Sequence, residues 1–152
     1  MSGADLAARA RAALARVSDP ELPFLTIADL GILRGVERDG DGVEVSITPT
    51  YSGCPAMVEI TAAIHHALDA AGIASVRVRT VLAPAWTTDW LSEEGRRKLA
   101  AAGIAPPSPR APSCPRCASP ATELLSAFGA TACKALWRCT ACREPFDAFK
   151  CH

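Results

Sequence analysis

The spacing of apolar side chains along residues 1–104 changes from segment to segment. Residues 4–17 and 57–71 carry apolar residues at three- and four-residue intervals, the spacing of one face of an amphipathic helix. Residues 43–48 and 75–82 alternate apolar with polar side chains, the two-residue period of a strand with one buried face. With a further strand at residues 32–38, the pattern predicts the order helix, strand, strand, helix, strand.

These five elements predict a small α+β sandwich. Asp39-Gly40-Asp41-Gly42 separates the first two strands with residues that tolerate the positive backbone angles of a hairpin turn. Because a helix lies between the second and third strands, we expect a right-handed crossover that lays both helices on one face of a three-stranded sheet. The predicted fold class is therefore α+β with the order αββαβ.

One cysteine, Cys54, lies where the second strand passes into the second helix. Proline is favoured at the first helical position, so Pro55 predicts that Cys54 is the N-cap, beside unpaired N–H groups and the positive end of the helix dipole. That setting favours the thiolate over the thiol. The alternative interpretation is a small buried residue that fills space under the start of the helix.

Two other motifs carry candidate functional side chains. Asp19-Pro20-Glu21 ends the first helix in a bend that presents two carboxylates, although such a turn also commonly caps a following helical turn. Trp86 and Trp90 precede a polar helix at residues 92–102. They either pack over the edge of the sheet or form a docking anchor for another protein.

Composition narrows the class of partner and the compartment. A formal net charge of zero argues against an electrostatically driven nucleic-acid or membrane partner. The N-terminal segment has Asp5 among alanines and arginines and no unbroken apolar core, so it resembles neither a secretory signal nor a membrane span, and we expect a cytoplasmic protein. Seven cysteines, mostly in the last quarter of the chain, suit metal binding in a reducing compartment.

The end of the chain has the pattern of a separate metal-binding module. A proline-rich segment, residues 105–112, is predicted as a semi-rigid spacer between a domain at 1–104 and a module at 113–152. In the module, Cys114, Cys117, Cys139 and Cys142 form two Cys-x-x-Cys pairs, a spacing that brings four thiolates to one tetrahedral ion. Strands at 122–128 and 135–138 complete a predicted zinc ribbon, whose folding free energy depends on the metal.

Two more cysteines leave the metal open to a second interpretation. Cys133 and Cys151 lie outside the paired spacing, so the module has six thiols for a site that needs four. Zinc on the two pairs is the favoured assignment, and an iron–sulfur cluster on some other four is the alternative. Cys133 and Cys151 then form a reversible pair, act beside the ligands, or are simply buried.

These motifs together resemble the metal–sulfur cluster biosynthetic family, which includes the SufT-type and cytosolic iron–sulfur targeting proteins. The resemblance is carried by Asp19-Pro20-Glu21, Asp29-Leu30-Gly31, the stretch from Thr48-Pro49-Thr50 to Cys54-Pro55, and Pro84-Ala85-Trp86. Residues 86–95, the proline-rich segment and the ribbon extend it to the PaaD family, accessory subunits of bacterial phenylacetyl-CoA epoxidase systems. Pro84-Ala85-Trp86 departs from the double proline that is common before this tryptophan.

The resemblance implies an iron–sulfur cluster assembly-like fold and a role in maturation. The chain would help to assemble the iron or iron–sulfur centres of the oxygenase and reductase subunits of the epoxidase, without catalysing epoxidation alone. Carried over by position, the functional residues are Asp19, Glu21, Thr48, Thr50 and Cys54, with Cys54 as a transient ligand of iron or of a cluster. One thiolate suits a transfer site better than a resident cofactor.

A second hypothesis belongs to a different class. The chain would be a structural adaptor that holds the oxygenase and reductase together, with Cys54 buried and inert. The reactivity of the Cys54 thiol separates this hypothesis from the first.

Overall fold

The computed structural model describes residues 2–51 and 53–151 and divides the chain into two compact units. The first unit comprises the residues through Trp86 together with Trp90–Ser92. The second comprises Thr87–Asp89 together with the residues from Glu93 onward. No helix among the described residues is both long and apolar enough to cross a bilayer.

The first unit has the predicted order of elements. They are α1 (Gly3–Leu14), β1 (Leu33–Asp39), β2 (Gly42–Ile47), α2 (Ala56–Ala70) and β3 (Val76–Thr80). The sheet order is β1-β2-β3, with β2 antiparallel to β1 and parallel to β3. The hairpin closes on the pair Asp39 and Gly42, and Gly40 takes the left-handed conformation, with φ of 59°, that such a turn requires. The α+β prediction is therefore confirmed.

The two faces of this sheet have different chemistry. The helices contact the sheet and each other, and their apolar side chains form one core with the inward face of β2. Its buried members include Ala10, Leu14, Val43, Val45, Ile47, Ile60, Ile64 and Leu68. On the other face, Glu44 forms ion pairs with Arg79 and Arg77 at 3.2 and 3.7 Å. Burial is thus confined to the face that the helices cover, which fixes the register of the strands.

The first helix is shorter than its periodicity predicts. α1 ends at Leu14, although the apolar spacing continues to Val17. Beyond it the chain folds back on itself: Ile27 donates its N–H to the Val17 carbonyl at 2.9 Å, and Asp19 donates to the Leu25 carbonyl, also at 2.9 Å. The Val17 N–H still donates to the Leu14 carbonyl at 3.1 Å, but the Val17 carbonyl accepts from Ile27 instead of continuing the helix. The Val17 side chain is therefore buried although it lies after the end of α1.

The second unit contains a helix and a four-stranded sheet. Its elements are α3 (Glu93–Ala101), β4 (Ile104–Ala105), β5 (Thr122–Ser126), β6 (Lys134–Cys139) and β7 (Pro145–Phe149). The sheet order is β4-β7-β6-β5, in which β4 is parallel to β7 and the other neighbours are antiparallel. The predicted ribbon strands correspond to β5 and β6, whereas β4 and β7 have no counterpart in the sequence-based prediction.

The proline-rich segment is part of the second unit, not a spacer between two domains. Ala105, its first residue, pairs with Ala148 of β7. The Pro107 carbonyl accepts a hydrogen bond from Arg96 at 3.3 Å, and the Pro112 carbonyl accepts one from the Thr122 hydroxyl at 2.7 Å. Since α3 and β4 also group with the ribbon, the division differs from the predicted ranges 1–104, 105–112 and 113–152.

Candidate functional site

Cys54 lies in the loop that joins β2 to α2, directly before the first turn of the helix. α2 begins at Ala56, and Pro55 is the N-cap, without a side-chain capping bond. The Cys54 carbonyl accepts a hydrogen bond from the Met57 N–H at 3.2 Å, so Cys54 adjoins the first turn. Pro55 itself has helical backbone angles, and the Cys54 sulfur accepts a hydrogen bond from the Ala56 N–H, so Cys54 caps the first turn as predicted although the assigned helix boundary lies one residue later.

The pKa of Cys54 is shifted opposite to the prediction. Burial of the half-buried sulfur raises the pKa of the thiol above its ordinary value. The Ala56 N–H and the Tyr51 side chain hydrogen-bond the sulfur and lower the pKa, while the negative charges of Glu21 and Asp19 raise it. Because burial exceeds the pull of the helix N-terminus, the resting group is a thiol and not the predicted thiolate.

Asp19 combines a capping role with an electrostatic one. Its side chain is buried, and Oδ1 accepts hydrogen bonds from the N–H groups of Glu21 at 2.8 Å and Leu22 at 2.9 Å. Burial raises the pKa of the Asp19 carboxyl, the two backbone bonds lower it, and the charge of Glu59 raises it again. Asp19 therefore caps the turn that follows it, as one interpretation of the sequence proposed. Asp19 and Glu21 also lie close enough to Cys54 for their charges to raise the pKa of its thiol.

Thr48 and Thr50 belong to a small cavity next to this loop. The cavity has a volume of about 80 Å³, and Tyr51, Leu82 and Trp86 also line it. Cys54 is not among the described residues of the lining. The structure therefore brings Cys54 together with Asp19 and Glu21, and sets the two threonine side chains in a neighbouring cavity.

The two tryptophans have different environments, and neither offers a free ring. Trp86 is 5% exposed and donates its indole N–H to the Leu30 carbonyl at 2.8 Å, so it is a core residue and the prediction that it forms a docking anchor is wrong. Trp90 is half-buried, and the Arg34 guanidinium lies 3.6 Å from its ring centroid.

A Cβ added at Gly31 would lie 2.5 Å from the Trp90 carbonyl oxygen, which explains the glycine of Asp29-Leu30-Gly31.

Sequence reasoning missed two residues at the Cys54 loop. Tyr51 supplies the side-chain hydrogen bond to the Cys54 sulfur, and Glu59 adds a third carboxylate, close enough to Asp19 to raise its pKa. Glu59 lies in the first turn of α2, and this position could have drawn attention to it. Tyr51 carried no such signal, because its role depends on how the loop folds back.

The second candidate site, the cysteine tetrad, consists of Cys114, Cys117, Cys139 and Cys142. All four sulfurs lie within 4.8 Å of one another, with Cys117 to Cys139 at 3.5 Å and Cys114 to Cys142 at 3.7 Å. A tetrahedral zinc with Zn–S bonds of about 2.3 Å needs sulfurs about 3.8 Å apart, so the donor set and its spacing fit zinc. The Cys142 N–H and, less strongly, the Ala141 N–H lower the pKa of Cys139 to about 6. A thiolate is the form that binds metal.

The two knuckles, residues 114–119 and 139–144, repeat the same backbone geometry. The Cys114 N–H donates to the Ser119 carbonyl at 2.9 Å, and the Cys139 N–H donates to the Glu144 carbonyl at 3.0 Å. Each knuckle has a non-glycine residue in the left-handed region directly after its second cysteine, Ala118 with φ of 63° and Arg143 with φ of 66°. Two equivalent turns thus bring their sulfurs to one point.

Two protein families match this chain, one in its first part and one in its second. Residues 105–150 match the family described as the PaaD zinc beta ribbon domain, and residues 7–81 match the iron–sulfur cluster assembly protein family. Over 148 residues the chain is 50% identical to a protein of Escherichia coli (strain K12) that is named as a putative component of 1,2-phenylacetyl-CoA epoxidase, an alignment that covers 92% of this chain and 90% of that protein. The chain belongs to the PaaD family.

Two further similarities concern only the first part of this PaaD-family chain. It is 38% identical over 97 residues to an "Iron-sulfur cluster carrier protein" of Mycobacterium tuberculosis (strain ATCC 25618 / H37Rv), covering 62% of this chain but 23% of the carrier. The crystal structure of a DUF59 domain, a domain of unknown function, from Bacillus anthracis superposes with a TM-score of 0.60 at 26% identity, over 65% of this chain and 95% of that one. The iron–sulfur assembly fold of the first unit is thus confirmed.

The remaining cysteines of the PaaD ribbon lie outside the tetrad. Cys133 is buried, and its sulfur is 2.9 Å from the Thr131 hydroxyl. Cys151 is exposed, with its sulfur 3.6 Å from the Thr88 hydroxyl. Among the described residues, the paired cysteines are therefore the group whose sulfurs lie close enough together to hold one metal ion.

Proposed function

We propose that this protein is an accessory protein of a phenylacetyl-CoA epoxidase system that delivers iron or an iron–sulfur cluster to its oxygenase or reductase through Cys54. The observation that carries the proposal is the Cys54 sulfur within electrostatic range of Asp19 and Glu21 at the start of α2. Similarity to a protein named as a component of the epoxidase, and to iron–sulfur carriers over the first unit, supports it.

The chemistry of these residues suits brief binding of a metal cargo. A thiolate is a soft ligand for iron, and carboxylates are hard ligands for a ferrous ion. Because the pKa of Cys54 is raised, an arriving metal must displace the thiol proton, and the Asp19 and Glu21 carboxylates stabilise the cation that replaces it. One sulfur holds a cluster weakly, which favours release to an acceptor.

An adaptor is the second candidate function. It is favoured by the raised pKa of Cys54 and by the capping bonds of Asp19, since both are expected of groups that stabilise a fold. In this case the chain would link the oxygenase and reductase, and metal transfer would not depend on Cys54. Neither function requires a nucleic-acid or membrane partner.

Transfer assays distinguish the two. Protein purified without oxygen is loaded with ferrous iron or a cluster and mixed with the metal-free reductase or oxygenase. We expect Cys54→Ser to slow transfer by about tenfold or more, because loss of even a hydrogen-bonding partner of a metal ligand weakens metal binding by about 10–100-fold. The control Cys151→Ser, at another accessible thiol, should transfer normally, and the zinc content of both variants should be unchanged. Equal transfer by both variants, with normal growth of the Cys54→Ser strain on phenylacetate, would favour the adaptor.

A further inference from the structure

A preformed groove lies between the proline-rich segment and one face of the ribbon sheet. Its volume is about 330 Å³. Trp137 and Ala135 of β6 and Leu124 of β5 line it from the sheet, and Pro106 and Pro112 line it from the proline-rich segment. Leu124 and Trp137 are cross-strand partners, so the apolar lining extends over neighbouring strands.

The proline-rich wall of the groove is held in place. Its Pro107 and Pro112 carbonyls accept the hydrogen bonds from Arg96 and Thr122 described above. Proline also fixes one backbone angle, so little conformational entropy remains to be lost when a ligand enters. A ligand can therefore bind in the groove without a large loss of conformational entropy in the protein, which favours affinity.

The charged side chains among the described lining residues of the groove have a single sign. Arg110 and Lys150 both line it, and none of its described lining residues is Asp or Glu. The chain as a whole has a formal net charge of zero, so this concentration of positive charge is local. A ligand that places apolar atoms in the groove is therefore favoured when it also carries carboxylates.

The apolar surface continues past the groove. Leu124 is 52% exposed, and Phe128 is 79% exposed just beyond β5. The Lys150 ammonium lies 5.0 Å from the Phe128 ring centroid, which places Phe128 at the edge of the groove. β5 is also the last strand of its sheet, so one side of its backbone is unpaired by the described strands. Such an extended surface suits a chain segment better than a small molecule.

From this combination we infer that the groove binds an acidic, apolar peptide segment of a partner protein. Apolar side chains of the segment would contact Leu124 and Trp137, and its carboxylates would pair with Arg110 and Lys150. The inference does not depend on metal handling by Cys54, because all of its residues lie in the second unit.

Peptide selection tests the inference on the zinc-loaded full chain. The probe is a random twelve-residue phage-display library, followed by affinity measurement of the selected consensus peptide. We expect the selected sequences to be enriched in Asp and Glu next to apolar residues. Leu124→Glu and Arg110→Glu should each weaken the affinity for the consensus peptide by about tenfold or more, which is the effect of losing one hot-spot contact.

Leu125→Glu is the matched control. Leu125 follows Leu124 in β5 and is 47% exposed, but it is not among the described residues that line the groove. Because Leu125 does not line the groove, Leu125→Glu should weaken peptide binding less than about twofold. This variant adds the same charge to the same strand as Leu124→Glu and so controls for the charge itself. Enrichment of basic peptides, or equal losses for Leu124→Glu and Leu125→Glu, would overturn the inference. So would selection of no peptide while phenylacetate binds, because the groove would then be a small-molecule site.

Discussion

At the scale of single residues, Cys54 is subject to opposing electrostatic effects. The first turn of α2 and the Tyr51 side chain stabilise a negative sulfur, whereas burial and two carboxylates destabilise it. The Asp19 carboxylate cannot simply be removed, because it also accepts two backbone hydrogen bonds that close its turn. The same group therefore stabilises the loop and suppresses the thiolate next to it.

Alkylation of Cys54 should reflect this balance. We expect Cys54 to react with iodoacetamide more slowly at pH 7 than a free cysteine does, with a rate that rises with pH through a pKa above the ordinary value. Glu21→Gln removes a negative charge and lowers that pKa, so it should raise the rate at pH 7 by about threefold. Mass spectrometry of the individual cysteine peptides measures the rate for each thiol.

Glu37→Gln is a control that removes an exposed carboxylate from β1, away from the Cys54 loop. It should leave the alkylation rate of Cys54 unchanged. A Cys54 that reacts faster than free cysteine at pH 7, or a Glu21→Gln variant with an unchanged rate, would contradict this assignment of the charges.

At the scale of elements, the two knuckles share a strained position. Ala118 and Arg143 are the described non-glycine residues with positive φ, a conformation that costs an L-residue about 1–2 kcal/mol. The equivalent hydrogen bonds of the two knuckles, together with convergence on one metal, hold both residues there. Glycine would adopt this backbone conformation without a clash of its Cβ.

Ala118→Gly should therefore stabilise the ribbon. The relief of strain exceeds the greater entropy of glycine in the unfolded chain, so we expect a gain of about 0.5–1 kcal/mol. Thermal unfolding at a fixed concentration of free zinc measures it. Ala141→Gly is the control inside the second knuckle, since Ala141 is not among the described residues with positive φ, and it should not stabilise the ribbon. Destabilisation by Ala118→Gly would argue against the left-handed conformation at this position.

Elements with regular periodicity were predictable from sequence, and those fixed by long-range contacts were not. The alternation of Val43, Val45 and Ile47 identified β2 because one face of the strand is buried. α1 ends early because the chain folds back after Val17, whose carbonyl accepts a hydrogen bond from Ile27, and no local pattern encodes this pairing. The raised pKa of Cys54 was equally hidden, because it depends on burial and on carboxylates from other segments.

At the scale of the whole molecule, the two units differ in what supports their cores. The core of the first unit is built from aliphatic side chains on two helices and a sheet. The buried cluster of the second consists of Ala105, Cys114, Cys139, Phe146 and Ala148, with Trp137 packed against it. Two of these members belong to the cysteine tetrad, so the metal site and the core are the same structure.

The proline content of residues 105–112 alone suggested a spacer, because composition does not show that Ala105 pairs with β7.

Removal of zinc should consequently unfold the second unit and spare the first. Structural zinc contributes about 10–16 kcal/mol to the folding of small metal-binding modules, more than a cluster of this size supplies by burial. With a strong chelator, we expect amides of β5, β6 and β7 to lose protection from hydrogen exchange while those of β2 and α2 keep it. Cys117→Ser should reproduce this result without chelator, since it removes an exposed ligand with little loss of packing, whereas Cys151→Ser should not. Protected β6 amides in zinc-free protein would show that the cluster folds without its metal.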